Sequence, residues 1–219
     1  MSKIELVIFD MDGLMFNTEE LTIRAWQEIG KLYNYDISKE FLLGLLGMNK
    51  KSIEAQFKKY FGDKFFFDYM YSEQDKCLNR IIDKEGLGVK KGLNELLDYL
   101  TKNEIKKAVA TSSARERAEK LLSKAGVLDN YDKVICGDEV TKSKPDPEIF
   151  LTACKKLNVD PGNAIVIEDS ERGLEAAIAG GIKCILVPDM IEPSERYVKL
   201  AHSKVKSLME VMNLKELFL

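Results

Sequence analysis

The junction at Asp10-Met11-Asp12-Gly13, which follows directly on the apolar run Ile4 to Phe9, limits the architectures open to this chain. Leu6-Val7-Ile8-Phe9 is short, β-branched and aromatic, with no polar interruption, as expected of a strand buried on both faces of a parallel sheet. An open α/β sheet binds its ligands at the carboxyl ends of its strands, where the two aspartates fall. If the backbone stays extended, Asp10 and Asp12 point to one side, roughly 6–7 Å apart at ~3.3 Å per residue. Such a gap fits one phosphorus with an oxygen on either side, and Gly13 then lets the chain turn. The competing reading is a strand followed by an Asx-rich turn, since Asp and Gly are ordinary turn residues.

The 219 residues suffice for one well-packed domain with an insertion. With 33 basic and 36 acidic residues the formal net charge is −3, so nothing points to a nucleic acid polymer or an anionic membrane surface. No apolar stretch approaches the ~18–20 residues that span a bilayer. Met1-Ser2-Lys3 runs straight into the first strand, which leaves no room for a signal peptide. Cys77, Cys136, Cys154 and Cys184 form no C-x-x-C pair and read as reduced, buried thiols, so a cytoplasmic location is expected.

From Glu19 to about Lys84 the pattern is helical. Leu21, Ala25, Trp26 and Ile29 make one apolar stripe. Ser38 is placed to cap a helix to Leu43, with Phe41, Leu42 and Leu45 turned inward. Further helices are predicted over 51–61 and 65–83. The aromatics Tyr60, Phe61, Phe65, Phe66, Phe67, Tyr69 and Tyr71 read as a small helical core in preference to a ligand site.

Helix and strand then alternate. Leu93, Leu96, Leu97 and Leu100 mark a helix, and Ala108-Val109-Ala110 a strand ending at Thr111-Ser112-Ser113. Ser113 with Glu116 fits a capping box. Val134-Ile135-Cys136 is a strand, and Asp146 with Pro147 starts a helix. Ala164-Ile165-Val166-Ile167 is a strand ending at Glu168-Asp169, and Cys184-Ile185-Leu186-Val187 another. The predicted fold is α/β, a doubly wound parallel sheet with a helical insertion after its first strand.

Three predicted strands thus end in polar groups at one sheet edge: Asp10 with Asp12, Thr111 with Ser112, and Glu168 with Asp169. Lys144, in a loop before a helix, can reach the same place. Two carboxylates ~4 Å apart repel by about 4 kcal/mol at an effective dielectric of 20, so Asp10 beside Asp169 demands a cation. Hard oxygen ligands favour magnesium. The hydroxyl of Thr111, the ammonium of Lys144 and the metal would together hold a phosphoryl dianion. The fitting chemistry is attack by a carboxylate on phosphorus, with Asp10 as nucleophile. Asp12 would protonate the leaving alcohol and later deprotonate water, which requires it to begin protonated, a state that neighbouring carboxylates favour.

These segments, Asp10-Met11-Asp12-Gly13-Leu14 with Thr18, Thr111-Ser112, Lys144-Pro145-Asp146-Pro147 and Ile167-Glu168-Asp169-Ser170, resemble the four motifs of the haloacid dehalogenase superfamily, in that order. The resemblance covers nearly the whole chain and is strongest to the β-phosphoglucomutase-like phosphatases. It implies a Rossmann-like core over residues 1–16 and 87–219, a mobile helical cap over 17–86, magnesium, and a phosphatase of a small phosphorylated metabolite acting through an aspartyl phosphate. It further implies that the backbone carbonyl of Asp12 is a metal ligand, and that Glu168 helps Asp10 and Asp169 bind the metal directly or through water. Mutases of this group carry a His where this chain has Thr22, and a cap-loop Arg where Gly47-Met48-Asn49-Lys50 offers Lys50. An ammonium lacks the bidentate fork, and both differences favour hydrolysis. A sugar phosphomutase and a non-catalytic phospho-ligand-binding protein are the alternatives.

His202 is the sole histidine, which leaves little material for a Ser-His-Asp triad or H-E-x-x-H. No cysteine has an Arg six positions on, and no G-x-x-x-x-G-K-[ST] occurs. Phe16-Asn17-Thr18 and 86–88 are expected hinges, with Lys50 and Phe16 as substrate contacts and a monomeric state.

Overall fold

The computed structural model describes residues 3–214. Six strands, β1 Leu6–Phe9, β2 Lys106–Thr111, β3 Lys133–Cys136, β4 Ala164–Glu168, β5 Lys183–Leu186 and β6 Ser203–Lys204, form one sheet in the order β3-β2-β1-β4-β5-β6. Every pairing is parallel. The period-2 alternation of a strand explains why such short apolar runs suffice. Val7 and Phe9 point into one core with Ile165 and Ile167, while Leu6 and Ile8 point into the other with Ala164 and Val166.

Helices cover both faces. Leu93, Leu96, Leu97 and Leu100 of α5 (Leu93–Lys102) join the first core with Ala118, Leu121 and Leu122 of α6 (Arg115–Lys124). Ile149, Phe150 and Ala153 of α7 (Glu148–Leu157) join the second with Leu174, Ala176 and Ala177 of α8 (Glu171–Ala179). Two short helices, α9 (Glu195–Leu200) and α10 (Leu208–Val211), complete the α/β unit. The chain runs outward from β1 through β2 to β3, then crosses back to β4 on the other side of β1. That reversal opens a crevice at the carboxyl end of β1.

Between β1 and α5 lie α1 (Thr18–Leu32), α2 (Lys39–Leu43), α3 (Lys50–Phe61) and α4 (Phe67–Glu85). Ser38 caps α2 as expected, accepting from the Phe41 N–H at 3.1 Å. The aromatic residues do build a core here: Trp26 and Phe57 lie 4.4 Å apart between ring centroids, and Phe57 and Phe65 5.0 Å. Tyr60, Phe66 and Tyr69 stay outside it, more than half exposed. The two connections to the sheet run side by side. Asn17 N–H donates to Gly88 O, and Lys90 N–H to Met15 O, both at 2.9 Å.

Two helix starts differ from expectation. Ala114 precedes α6 with no side-chain cap, because the Ser113 hydroxyl is used elsewhere. Pro147 stands immediately before α7, one residue later than predicted, although Asp146 Oδ1 still accepts from the Glu148 N–H at 3.0 Å. Among the described residues no helix is long and apolar enough to cross a membrane.

Candidate active site

Asp10 leaves β1 with its N–H bonded to Ile167 O at 3.0 Å, which sets it at the crevice. Glu168 ends β4, and Asp169 follows. Lys144 brings its ammonium, only 3% exposed, between these strands. Its Nζ donates to Asp10 Oδ1 at 2.5 Å, Glu168 Oε1 at 2.6 Å and Ala110 O at 3.1 Å, which uses all three N–H bonds. Despite burial, the Asp10 and Glu168 carboxylates keep that ammonium protonated, well above the usual lysine range.

The carboxylates outnumber their cation. One oxygen each of Asp10, Glu168 and Asp169 lies within 4.8 Å of the others. Burial, opposed by Lys144 and reinforced by Glu168 and Asp12, pushes the Asp10 carboxyl up to about 7. Burial, then Glu19, Glu168 and Asp10, lift Asp169 well above its ordinary value. Burial, then Asp189, Asp12 and Asp10, raise Glu19 to about 8. Buried carboxyl groups crowded in this way shed their protons only if a further cation arrives. The donor set is all oxygen and suits a hard divalent ion such as magnesium. Asp10, Glu168 and Asp169 therefore fit a metal, and the close approach of Gly13 leaves room for them. At φ +84°, a Cβ on Gly13 would stand 2.1 Å from Asp169 Oδ2.

Glu168 is held from behind. Its Oε2 accepts from the Ser170 hydroxyl at 2.9 Å and from the Asp169 and Ser170 N–H groups at 3.2 Å each. Gly173 allows this, since a Cβ there would lie 1.9 Å from Glu168 Cδ. Gly→Ala inside a helix ordinarily gains up to ~1 kcal/mol. Gly173→Ala is expected to reverse that sign and to lose about 1–3 kcal/mol by overpacking, read as a lower urea midpoint. A raised midpoint would show that Glu168 has no fixed place.

Asp12 differs from expectation. It was expected to be protonated among other carboxylates, yet Arg117 Nη2 contacts its Oδ1 at 2.6 Å, the Thr18 hydroxyl donates to the same oxygen at 2.6 Å and the Ser113 hydroxyl to Oδ2 at 2.8 Å. Burial raises its pKa, but Arg117 and these donors outweigh burial and hold it below the ordinary value. Thr111 is buried, its hydroxyl oxygen accepting from the Ser113 N–H at 3.1 Å. The Ser112 hydroxyl reaches across to Gly47 O at 3.4 Å, between α2 and α3.

A single cavity is lined by Asp10, Asp12, Thr111, Ser112, Lys144, Glu168 and Asp169, residues that the sequence placed at one sheet edge. Two expected contacts are not in its lining. Lys50 pairs with Asp68 at 2.7 Å and stands over the Tyr71 ring, 5.1 Å from its centroid. Phe16 is fully buried, fixed by backbone bridges to Asp12 and Val89. Sequence reasoning missed Glu19, Ser113 and Arg117 in this lining, and Tyr71, Gln74 and Asp75 of α4. Ser113 lies just before α6 and accepts from Arg117 Nε at 3.2 Å, so a hydroxyl and a guanidinium four residues apart just beyond β2 are the one local signal that could have found them.

The family model described as haloacid dehalogenase-like hydrolase matches residues 7–187. The phosphorylated carbohydrates phosphatase of Thermotoga maritima is 32% identical over 187 residues, covering 83% of this chain and 84% of that protein. The validoxylamine A 7'-phosphate phosphatase of Streptomyces hygroscopicus subsp. limoneus is 31% identical over 186 residues, covering 83% and 84%. Among solved structures, β-phosphoglucomutase from Clostridium difficile superposes with a TM-score of 0.84 at 25% identity, covering 98% of this chain and 97% of that one.

Proposed function

The chain belongs to the haloacid dehalogenase-like hydrolases and is a phosphoric monoester hydrolase of that family, and we propose that it is magnesium-dependent, hydrolysing a small sugar phosphate or similar metabolite through an aspartyl phosphate on Asp10. The observation that carries this reading is the position of Asp10, at the strand end where Lys144 and the carboxylates of Glu168 and Asp169 converge. One relative named as a phosphorylated carbohydrates phosphatase, and another as a validoxylamine A 7'-phosphate phosphatase, support the substrate class.

Asp10 Oδ1 is engaged by Lys144, so Oδ2 is the oxygen free to attack phosphorus. Thr111 and Ser112, at the end of β2, line the cavity where the phosphoryl oxygens would lie. Asp12, two residues on, is the group for the leaving oxygen and then for the attacking water. As held by Arg117 it is a base, so acid catalysis requires that contact to loosen as substrate seats. Asp10, Glu168 and Asp169, with the Asp12 carbonyl, would hold magnesium, which when bound neutralises phosphoryl charge and keeps Asp10 ionised. Residues 17–86 act as a cap, hinged where Asn17 meets Gly88.

Two features favour hydrolysis over mutase action. By the resemblance drawn from the sequence, Thr22, which lines the cavity, stands where the mutases have His, and Lys50 pairs with Asp68 outside that lining, where it holds no second phosphate in this arrangement. The test is incubation with a hexose 1-phosphate. Inorganic phosphate should appear only with magnesium and without any 6-phosphate isomer; accumulation of that isomer would decide for the mutase.

A further inference from the structure

The first turn of α1 holds a carboxylate that the phosphoryl chemistry leaves unused. Glu19 is 8% exposed, whereas Glu20 beside it faces solvent. The positive end of a helix favours acids in its first turn, but that gain needs no burial, as Glu20 shows. Glu19 lines the cavity with Asp10 and Asp169, and it also lines the adjoining hollow with Ser170, Arg172 and Asp189. It faces Asp169 across Gly13, where a Cβ would stand 3.0 Å from Glu19 Cδ and 2.1 Å from Asp169 Oδ2.

No hydrogen-bond donor among the described residues reaches the Glu19 carboxylate. Lys90, the cation that favours its charged form, is paired with Asp189. Arg172 donates through Nη2 to Lys144 O at 2.8 Å. A buried acceptor left without a donor calls for a partner. Asp189, Asp12 and Asp10 all repel this one, so the partner must carry positive charge or hydrogens polarised by it.

The spacing of the carboxylates decides which. Asp10, Glu168 and Asp169 bring oxygens within 4.8 Å of one another, and Glu19 stands outside that group. Glu19 is therefore not a direct ligand of a cation seated there. Magnesium, however, keeps several of its waters when a protein binds it, and those waters present hydrogens to acceptors one layer out. Such outer partners orient the site, and their loss typically costs about 10–100-fold in metal affinity.

We infer, resting on the magnesium-dependent reading above, that Glu19 is an outer-shell carboxylate of the cation, accepting from its water of hydration and so tying α1, the first helix of the cap, to the metal.

The experiment titrates magnesium calorimetrically into the wild type, Glu19→Gln and Glu20→Gln without substrate, and measures urea midpoints with and without the metal. Glu19→Gln, nearly isosteric, should weaken the magnesium Kd by about tenfold or more, and Glu20→Gln should leave it unchanged. The rise in midpoint that magnesium produces should shrink in Glu19→Gln. Its midpoint without metal, which a merely structural role would lower, should not fall, since a neutral amide replaces a buried acid. Glu19→Met takes its place if the amide variant does not fold. A folded variant that binds magnesium as the wild type does overturns the outer-shell role and leaves the magnesium-dependent phosphatase intact. A wild type that binds no magnesium, and releases phosphate equally without it, overturns both.

Discussion

Asp10→Asn should lower magnesium-dependent phosphate release by at least about 10⁴-fold, since loss of a nucleophile removes the covalent route and leaves only binding and electrostatic assistance. The substitution is nearly isosteric, so the cavity should survive it. An amide oxygen is a far weaker nucleophile than a carboxylate, and the amide also withdraws the anion that Lys144 contacts at 2.5 Å. Folding should suffer little at alkaline pH. Burial has already lifted the Asp10 carboxyl to about 7, so ionising it above that value works against the folded state, and a neutral side chain is spared that penalty. A dead but stable protein is the expected outcome, read by steady-state rates beside a urea melt. Acid quenching during turnover of a ³²P-labelled ester should leave label on the wild-type chain and none on the variant. The same pair separates catalysis from mere binding. If the wild type released no phosphate across a broad ester panel and Asp10→Asn bound phosphorylated ligands equally well, the chain would be a binding protein.

The sheet and its polar edge were legible because both are written locally. Leu6-Val7-Ile8-Phe9 and Ala164-Ile165-Val166-Ile167 bury every side chain, and parallel pairing must then bring the residues that follow them to a common edge. Asp10, Thr111, Glu168 and Asp169 are therefore neighbours by topology before any side chain is placed. Lys144 was harder, since a loop lysine has no periodicity, and only its place among the other motifs argued for it. The surroundings of Asp12 were not legible. Arg117 reaches Asp12 across 105 residues of sequence, and Ser113 with Glu116 fits a capping box as well as it fits anything else. Two residues expected as substrate contacts lie outside the lining, each for a packing reason. Lys50, at the start of α3, pairs with Asp68 on α4, a partner that only the packing of α3 against α4 supplies. Phe16 sat in the right stretch, yet its backbone bridges turned the ring into the core.

Lys144→Met should be the most damaging single change to stability in the site, and among the most damaging to rate. The ammonium makes all three of its hydrogen bonds within the protein, two of them to carboxylates no more than 10% exposed. Removing one partner of a buried ionic cluster typically destabilises by about 3–5 kcal/mol, because the remaining charges are left without compensation. The Asp10 carboxyl can soften this by holding a proton, and that escape fixes the pH dependence. Lys144 titrates above the ordinary lysine range, so in the wild type its contribution is present throughout the neutral region. Without it the Asp10 carboxyl, already raised from 3.8 to about 7, must move higher still. A carboxyl raised in the folded state binds more protons there than in the unfolded chain, so stability falls as pH rises between the unfolded and folded values. The deficit of Lys144→Met relative to wild type should accordingly be larger at pH 8 than at pH 5.5, measured by urea unfolding without magnesium. Activity should drop by about 10³-fold in kcat/KM, the scale on which loss of a preorganised charge acts at a phosphoryl group. Lys144→Arg should not restore it, since a planar fork cannot sit between Asp10, Glu168 and the Ala110 carbonyl as a point charge does. A Lys144→Met variant within tenfold of wild-type activity, or one whose stability deficit ignored pH, would mean that the ammonium does not compensate Asp10 and that the charge balance drawn for this site is wrong.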